Sequence, residues 1–214
     1  MPTPSRRPTI GSGSSGSRTT GAHTLWRVHG VLPRSLANGP GERFVVWSQG
    51  CPLACPGCFN PDTHATDGGG TRSVGGLLDA VRAQVPGIEG VTLTGGEPLA
   101  QPEAVAAFCA GLRGEPAFGD LGIIVLTGFT RTEIDADPAR LAAVAAADLV
   151  VAGRYNQSQR LASGLRGSAN KEYLYRTGRY RGLDLGGVPE VEVHIGGDGT
   201  ITGTGMADLR GGDW

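Results

Sequence analysis

Four short apolar runs punctuate the middle of the chain: Phe44-Val45-Val46-Trp47, Val91-Thr92-Leu93-Thr94, Ile123-Ile124-Val125-Leu126 and Leu149-Val150-Val151. Each reads as a strand, and Phe44 to Trp47 has the apolar character of a strand buried on both faces. Leu25 to Gly30 reads as a first strand ahead of them. Between the runs the period lengthens. Val74, Leu77, Leu78, Val81 and Val85 fall on one helical face behind Ser73, a good N-cap, with Gly75-Gly76 weakening the first turn and Pro86-Gly87 as the stop. A second helix is expected from about Pro102 to Arg113. A third should follow the Asp137-Pro138 cap and carry Leu141, Val144 and Ala145. Alternating strands and helices predict an α/β fold with a parallel sheet and right-handed crossovers. In such folds the loops leaving the C-terminal ends of the strands share one rim, and ligands bind there.

The flanks carry less pattern. Met1 to Gly21 is rich in Ser, Gly, Thr and Pro without apolar periodicity, and is read as a disordered tail, leaving 22–214 as one domain. Arg6-Arg7 is followed by no hydrophobic region, so a twin-arginine export signal is rejected, and the Gly and Pro of the tail disfavour a transit helix. The stretch from Asn156 to Val188 reads as too short and polar to bury a core of its own. Val191 to Ile195 alternates as a half-buried strand, and Asp198-Gly199 turns it into Thr200-Ile201-Thr202. That hairpin is expected to edge the sheet, with His194 structural. Tyr173, Tyr175 and Tyr180 interleave with Arg176, Arg179 and Arg181, which reads as a solvated surface rather than a nucleic-acid platform.

Composition narrows the function classes. A chain of 214 residues has room for one sizeable domain, and 19 basic against 20 acidic residues give no electrostatic case for nucleic acid or an anionic membrane. No apolar run reaches bilayer length, so the expectation is a cytoplasmic protein. Lys171 is the sole lysine, a bias read as that of a GC-rich genome. Four cysteines are present, and Cys109, alone in a helical stretch with Val105 and Leu112, is read as a core thiol.

The other three cysteines stand together in Gly50-Cys51-Pro52-Leu53-Ala54-Cys55-Pro56-Gly57-Cys58-Phe59-Asn60, directly after the second strand. Two prolines and two glycines keep the segment a loop. Three thiolates from one curled loop are one ligand short of closing a tetrahedral zinc site or capping every iron of a cubane. An iron left open suits catalysis. A structural zinc site with His64 as fourth ligand is the rival reading, giving an interaction module without catalysis. A disulfide would leave an odd thiol in so tight a loop.

The C-x3-C-x2-C spacing of Cys51, Cys55 and Cys58 resembles the signature of the radical S-adenosylmethionine (SAM) enzymes. Phe59 follows the third cysteine, where much of the superfamily has an aromatic just before it, at the position of Gly57. That variant, with Asn38-Gly39-Pro40-Gly41-Glu42-Arg43, Gln49-Gly50-Cys51 and Cys58-Phe59-Asn60-Pro61, looks like the short activating enzymes of glycyl-radical proteins, above all the anaerobic ribonucleotide reductase activases. Thr94-Gly95-Gly96-Glu97-Pro98 resembles the family's second signature, and Thr127-Gly128-Phe129 and Leu165-Arg166-Gly167-Ser168-Ala169-Asn170 resemble the activase strings. Ala152 departs from the pattern, since activases often have an acid there.

The resemblance implies a partial, open (β/α) barrel of the radical SAM type. It implies a [4Fe–4S] cluster on Cys51, Cys55 and Cys58, with SAM completing the fourth iron. SAM contacts would come from Gly57 and Phe59 beside the adenine, Gly95, Gly96 and Glu97 at the amino group, and Arg166 at the carboxylate. The activity implied is reductive cleavage of SAM to a 5′-deoxyadenosyl radical that draws hydrogen from a glycine of a partner protein or peptide, with a reducing flavodoxin or ferredoxin as electron donor. A tailoring enzyme acting on a peptide or small natural product is the alternative. Four cysteines in all leave no set for an auxiliary cluster.

Overall fold

The computed structural model describes residues 21–207; the N-terminal segment read as a tail lies almost wholly outside them. Its main body is a seven-stranded sheet in the order β3-β1-β2-β4-β5-β6-β9. Here β1 is Leu25–Ser35, β2 Arg43–Ser48, β3 Gly70–Ser73, β4 Gly90–Gly95, β5 Gly122–Leu126, β6 Leu149–Ala152 and β9 Glu172–Tyr175. The four apolar runs are β2, β4, β5 and β6, and they pair in parallel. The flanking pairs β1/β2, β1/β3 and β6/β9 are antiparallel, so the sheet is mixed rather than all parallel. Strands β3 and β9 form its two edges.

Helices cover one face. Helix α1 (Val74–Arg82) starts at Ser73, whose hydroxyl accepts from Gly76 N at 3.1 Å, a cap worth about 1 kcal/mol that offsets the weak Gly75-Gly76 turn. Helix α2 (Pro102–Gly114) buries Val105, Phe108, Cys109 and Leu112. Helix α4 (Pro138–Ala143) is capped by the Asp137 carboxylate, which accepts from Ala139 N and Arg140 N. Its Leu141, expected on the apolar face, is instead 37% exposed, while Val144 just past the helix is buried. A short α3 (Arg131–Asp135), unforeseen from the periodicity, is set by a capping box between Thr130 and Glu133. These helices close one core over Phe44, Val46, Val91, Leu93, Ile123 and Val125.

The other face of the sheet has its own core, and the segment 156–188 supplies it. Leu165, Tyr180, Leu185 and Val188 are buried against Ile124, Leu126, Leu149 and Val151. The stretch, read as unable to bury a core of its own, thus completes one jointly with the sheet. It also contributes β9 and a small β7/β8 pair (Arg160–Ser163, Arg166–Ser168). Tyr180, read as solvated surface, is 4% exposed.

The C-terminal hairpin, β10 (Val191–Ile195) and β11 (Ile201–Gly205), is a separate two-stranded sheet and does not edge the main one. Side chains dock it instead. The Glu192 carboxylate accepts from Ser35 Oγ at 2.7 Å and Leu36 N at 2.9 Å, and Asn38 Nδ2 donates to Thr204 Oγ1 at 2.8 Å. Among the described residues no helix is long and apolar enough to cross a membrane.

Candidate active site

The cysteine loop springs from the C-terminal end of β2, and Gln49 clamps its base. Its side-chain amide donates to Ala65 O at 2.7 Å and Asp62 O at 3.1 Å, while Oε1 meets His29 Nδ1 at 2.9 Å. Two backbone bonds, Gly50 N to Thr63 O and Cys51 N to His64 O, draw the loop's ends together. Within the loop Cys58 N donates to Cys55 O at 3.2 Å, and Asn60 N approaches Cys58 Sγ at 3.4 Å. The curl requires left-handed backbone at Ala54 (φ 44°) and Gly57 (φ 70°). A Cβ on Gly57 would also run into the Gln157 side chain at 2.7 Å.

Cys51, Cys55 and Cys58 line a single cavity of about 110 Å³ at the C-terminal ends of the parallel strands. Of the residues expected at the site, Gly95, Gly96, Glu97 and Phe59 line the same cavity, with Thr127 and Gly128 from the end of β5. Gly57 belongs to the loop that frames it. Arg166 is not brought there. Its guanidinium lies over the Tyr173 ring, 4.8 Å from the centroid, and lines a different cavity with Tyr175 and Asp184.

Packing explains the glycines and the acid more fully than sequence did. A Cβ on Gly96 would stand 2.6 Å from Gly50 O and 2.8 Å from Thr63 O, the backbone at the base of the cysteine loop. The second signature therefore abuts the first. Glu97 is fully buried, and its carboxylate accepts from Thr127 Oγ1 (2.6 Å), Gly128 N (2.7 Å) and Leu99 N (2.9 Å). Burial pushes its pKa up, and those three donors pull the other way. One side chain thus ties the rim after β4 to the rim after β5. Phe59 packs on Tyr155 with ring centroids 4.6 Å apart, fastening the loop to the rim after β6.

Two groups at the rim escaped the sequence reading. Lys171, passed over as compositional bias, lines the cysteine cavity and donates from Nζ to Gly153 O at 2.6 Å and Thr127 O at 3.3 Å. Its sole occurrence, directly after the Arg166–Asn170 string, was the available signal. Arg154, next to the atypical Ala152, is engaged elsewhere: it forks onto the Glu133 carboxylate and donates to Gly128 O at 2.9 Å. That pairing holds the Glu133 carboxyl down at about 2.

The donor set fits an iron–sulfur cluster. Three soft thiol ligands from one loop face one cavity, and each thiolate of a cubane caps a different iron, so they need not meet at a point. Among the described residues no three His, Cys, Asp or Glu side chains gather as a single metal ion would need. His64 does not line the cavity, and its Nε2 is buried without a partner. Burial pushes the Cys51 and Cys58 thiols up, and binding iron would draw their protons off.

Comparison with known proteins accords with this chemistry. Residues 37–174 match a family model described as a 4Fe-4S single cluster domain. The pyruvate formate-lyase-activating enzyme of Listeria monocytogenes serovar 1/2a is 41% identical over 88 residues, covering 39% of this chain and 36% of that protein. The anaerobic ribonucleoside-triphosphate reductase-activating protein of Vibrio cholerae serotype O1 is 30% identical over 149 residues, covering 67% of this chain and 94% of that one. The chain thus spans about a third of the first curated relatives it matches and nearly all of the shorter reductase-activating ones. Among solved structures, QueE from Escherichia coli aligns with a TM-score of 0.44 at 18% identity, over 55% of this chain and 59% of that chain.

Proposed function

The chain belongs to the 4Fe-4S single cluster domain family, and from that premise we propose that it is a radical SAM enzyme that installs a glycyl radical on a partner protein. The family match and the activating-enzyme relatives imply a [4Fe–4S] cluster and SAM as its cofactors. The observation that carries the reading is the convergence of the three cysteines, Gly95-Gly96 and Glu97 on one cavity. When bound and reduced, by a donor of the flavodoxin or ferredoxin type, the cluster supplies the electron that splits SAM.

The residues of this chain have defined tasks in that scheme. Cys51, Cys55 and Cys58 hold the cluster. Gly95 and Gly96 present backbone to the ligand beside it, Glu97 fixes the rim from which Gly128 and Thr127 project, and Gly57 and Phe59 shape the wall behind the third cysteine. The mixed sheet, with helices on one face and 156–188 on the other, suits the open barrel of such enzymes. Two larger cavities favour a chain-like substrate. One of about 290 Å³ shares Phe59, Asn60, Thr94 and Met206 with the cysteine cavity and runs along Gly203 to Gly205 of the hairpin. The next, of about 390 Å³, continues it past Trp47 to His29–Leu32. An extended peptide from a partner would lie along this groove and bring its glycine to the cavity.

The test is catalytic. With reductant and SAM alone the reconstituted enzyme should form 5′-deoxyadenosine slowly. A glycyl-radical protein encoded beside it should accelerate the reaction and carry the electron paramagnetic resonance signal itself. Fast, tightly coupled turnover of a small metabolite alone overturns the protein-substrate reading.

A second expectation follows from the contact between the two signatures. Gly96→Val pushes against Gly50 O and Thr63 O, so it should cut iron and sulfide per chain at least several-fold as well as weaken SAM binding. A variant with full cluster content and SAM binding alone lost would place the constraint on the ligand instead.

A further inference from the structure

Lysines ordinarily keep the ammonium in water. The only lysine of this chain instead puts Nζ on two backbone carbonyls, Gly153 O at the end of β6 and Thr127 O at the end of β5, inside the cavity the cysteines line. An ammonium has three donors, and these two bonds leave one. Carbonyl dipoles hold the group in place without cancelling its charge. Burial disfavours the charged form, while Glu97, Cys55 and Cys58 favour it.

Lys171 is the cation seated in this wall. Among the described residues lining the cavity, Lys171 is the only basic one and Glu97 the only carboxylate. Arg154 also feels the charges of Cys55 and Glu97, but its guanidinium is forked onto Glu133 and does not line the cavity, and Arg166 stands over Tyr173 at another cavity. Glu97, in turn, is already satisfied by Thr127, Gly128 and Leu99. Beside Glu97, the loop cysteines Cys55 and Cys58 are the negative groups that Lys171 faces once they are thiolates.

We propose that Lys171 is a positioning residue for electron transfer: its fixed positive charge offsets the cysteine thiolates and makes the cluster they hold easier to reduce, resting on the cluster assignment proposed above. Reduction places one electron from the external one-electron donor on the cluster and moves no proton to or from Lys171. Cluster potentials respond to net charge and local polarity, and a cation at a low-dielectric wall favours the state with the extra negative charge.

The measurement is a redox titration of the anaerobically reconstituted full chain, reading the reduced-cluster electron paramagnetic resonance signal against applied potential. Lys171→Gln and Lys171→Met should lower the reduced-to-oxidised ratio at a given potential at least tenfold, a shift of about 59 mV to more negative potential for one electron. Lys171→Arg should stay within threefold of the native ratio. A neutral variant that holds a full cluster and shifts the ratio less than threefold overturns the inference. If both neutral variants lose the cluster, Lys171 serves to hold the cluster and not to tune its reduction, and the inference is overturned. A native protein without any [4Fe–4S] signal would fail the proposed function itself, before this comparison begins.

Discussion

Cys51→Ala, Cys55→Ala and Cys58→Ala should each abolish the [4Fe–4S] centre, and Cys109→Ala should leave it intact. The first three remove a thiol from a loop whose thiols share one cavity wall. A three-coordinate protein site has no spare ligand, and Cys109 is the only other cysteine. Cys109 cannot substitute. It is 1% exposed in α2, packed in the helix-side core, and burial pushes its thiol up to about 12, so it stays protonated. Its replacement by alanine costs about 1 kcal/mol of packing and nothing at the site. Iron and acid-labile sulfide per chain, with the visible absorbance of the anaerobic protein, read the outcome. Stoichiometric zinc without sulfide, or a cluster surviving any of the three loop substitutions, would defeat the assignment.

The parts of the fold that were legible in the sequence are those where one face does one thing. Strands β2, β4, β5 and β6 are buried on both sides, and α1 and α2 each press a periodic stripe on the sheet, so their patterns survive translation into structure. The segment 156–188 was opaque for the converse reason. Its buried residues come from turns and short strands at irregular spacing: Leu165, Tyr180, Leu185 and Val188 cover the face opposite the helices, while Leu174 of β9 joins the helix-side core. No period records that. The hairpin was visible as a hairpin, but its docking depends on Glu192 reaching Ser35 and Leu36 and on Thr204 meeting Asn38, all far away in sequence.

The site divides in the same way. Cysteine spacing and the Gly95-Gly96-Glu97 string are local signals, and the cavity brings them together. Whether a lone cation reaches that cavity depends on how the chain turns after β8. Arg166 and Lys171 flank that turn, and Lys171 is the one that arrives. Apart from Lys171 being the sole lysine, nothing along the chain sets it apart from Arg166.

Arg43→Met should destabilise the protein by about 3–5 kcal/mol, since it removes a buried guanidinium and leaves its neutral acceptors without a donor. Arg43 opens β2 at the end of the sheet opposite the cysteines and is fully buried. Each of its five N–H donors has an acceptor. Nε reaches Thr92 Oγ1 at 2.7 Å; Nη1 reaches Pro40 O at 3.1 Å and Tyr180 OH at 3.0 Å; Nη2 reaches Val91 O at 2.7 Å and Gly122 O at 2.8 Å. None of these acceptors is a carboxylate, and burial lowers the arginine's pKa, with Tyr180 opposing. The side chain therefore joins β2 and the starts of β4 and β5 to the 156–188 segment through hydrogen bonds and a guanidinium 5.7 Å from the Tyr180 ring centroid, with no ion pair among the described residues. Methionine fills similar volume but strands three carbonyls in a dry interior, where each unmet acceptor costs about 1–3 kcal/mol. Lysine keeps the charge with three donors in place of five, so Arg43→Lys should cost less, about 1–3 kcal/mol. Against a total stability of about 5–15 kcal/mol, the methionine variant should be the most damaged single substitution outside the cysteine loop. Urea unfolding of the anaerobic protein followed by far-ultraviolet circular dichroism measures it. A loss below 1 kcal/mol for Arg43→Met would mean that these hydrogen bonds do no more than replace water, and that the apolar core alone holds this end of the sheet.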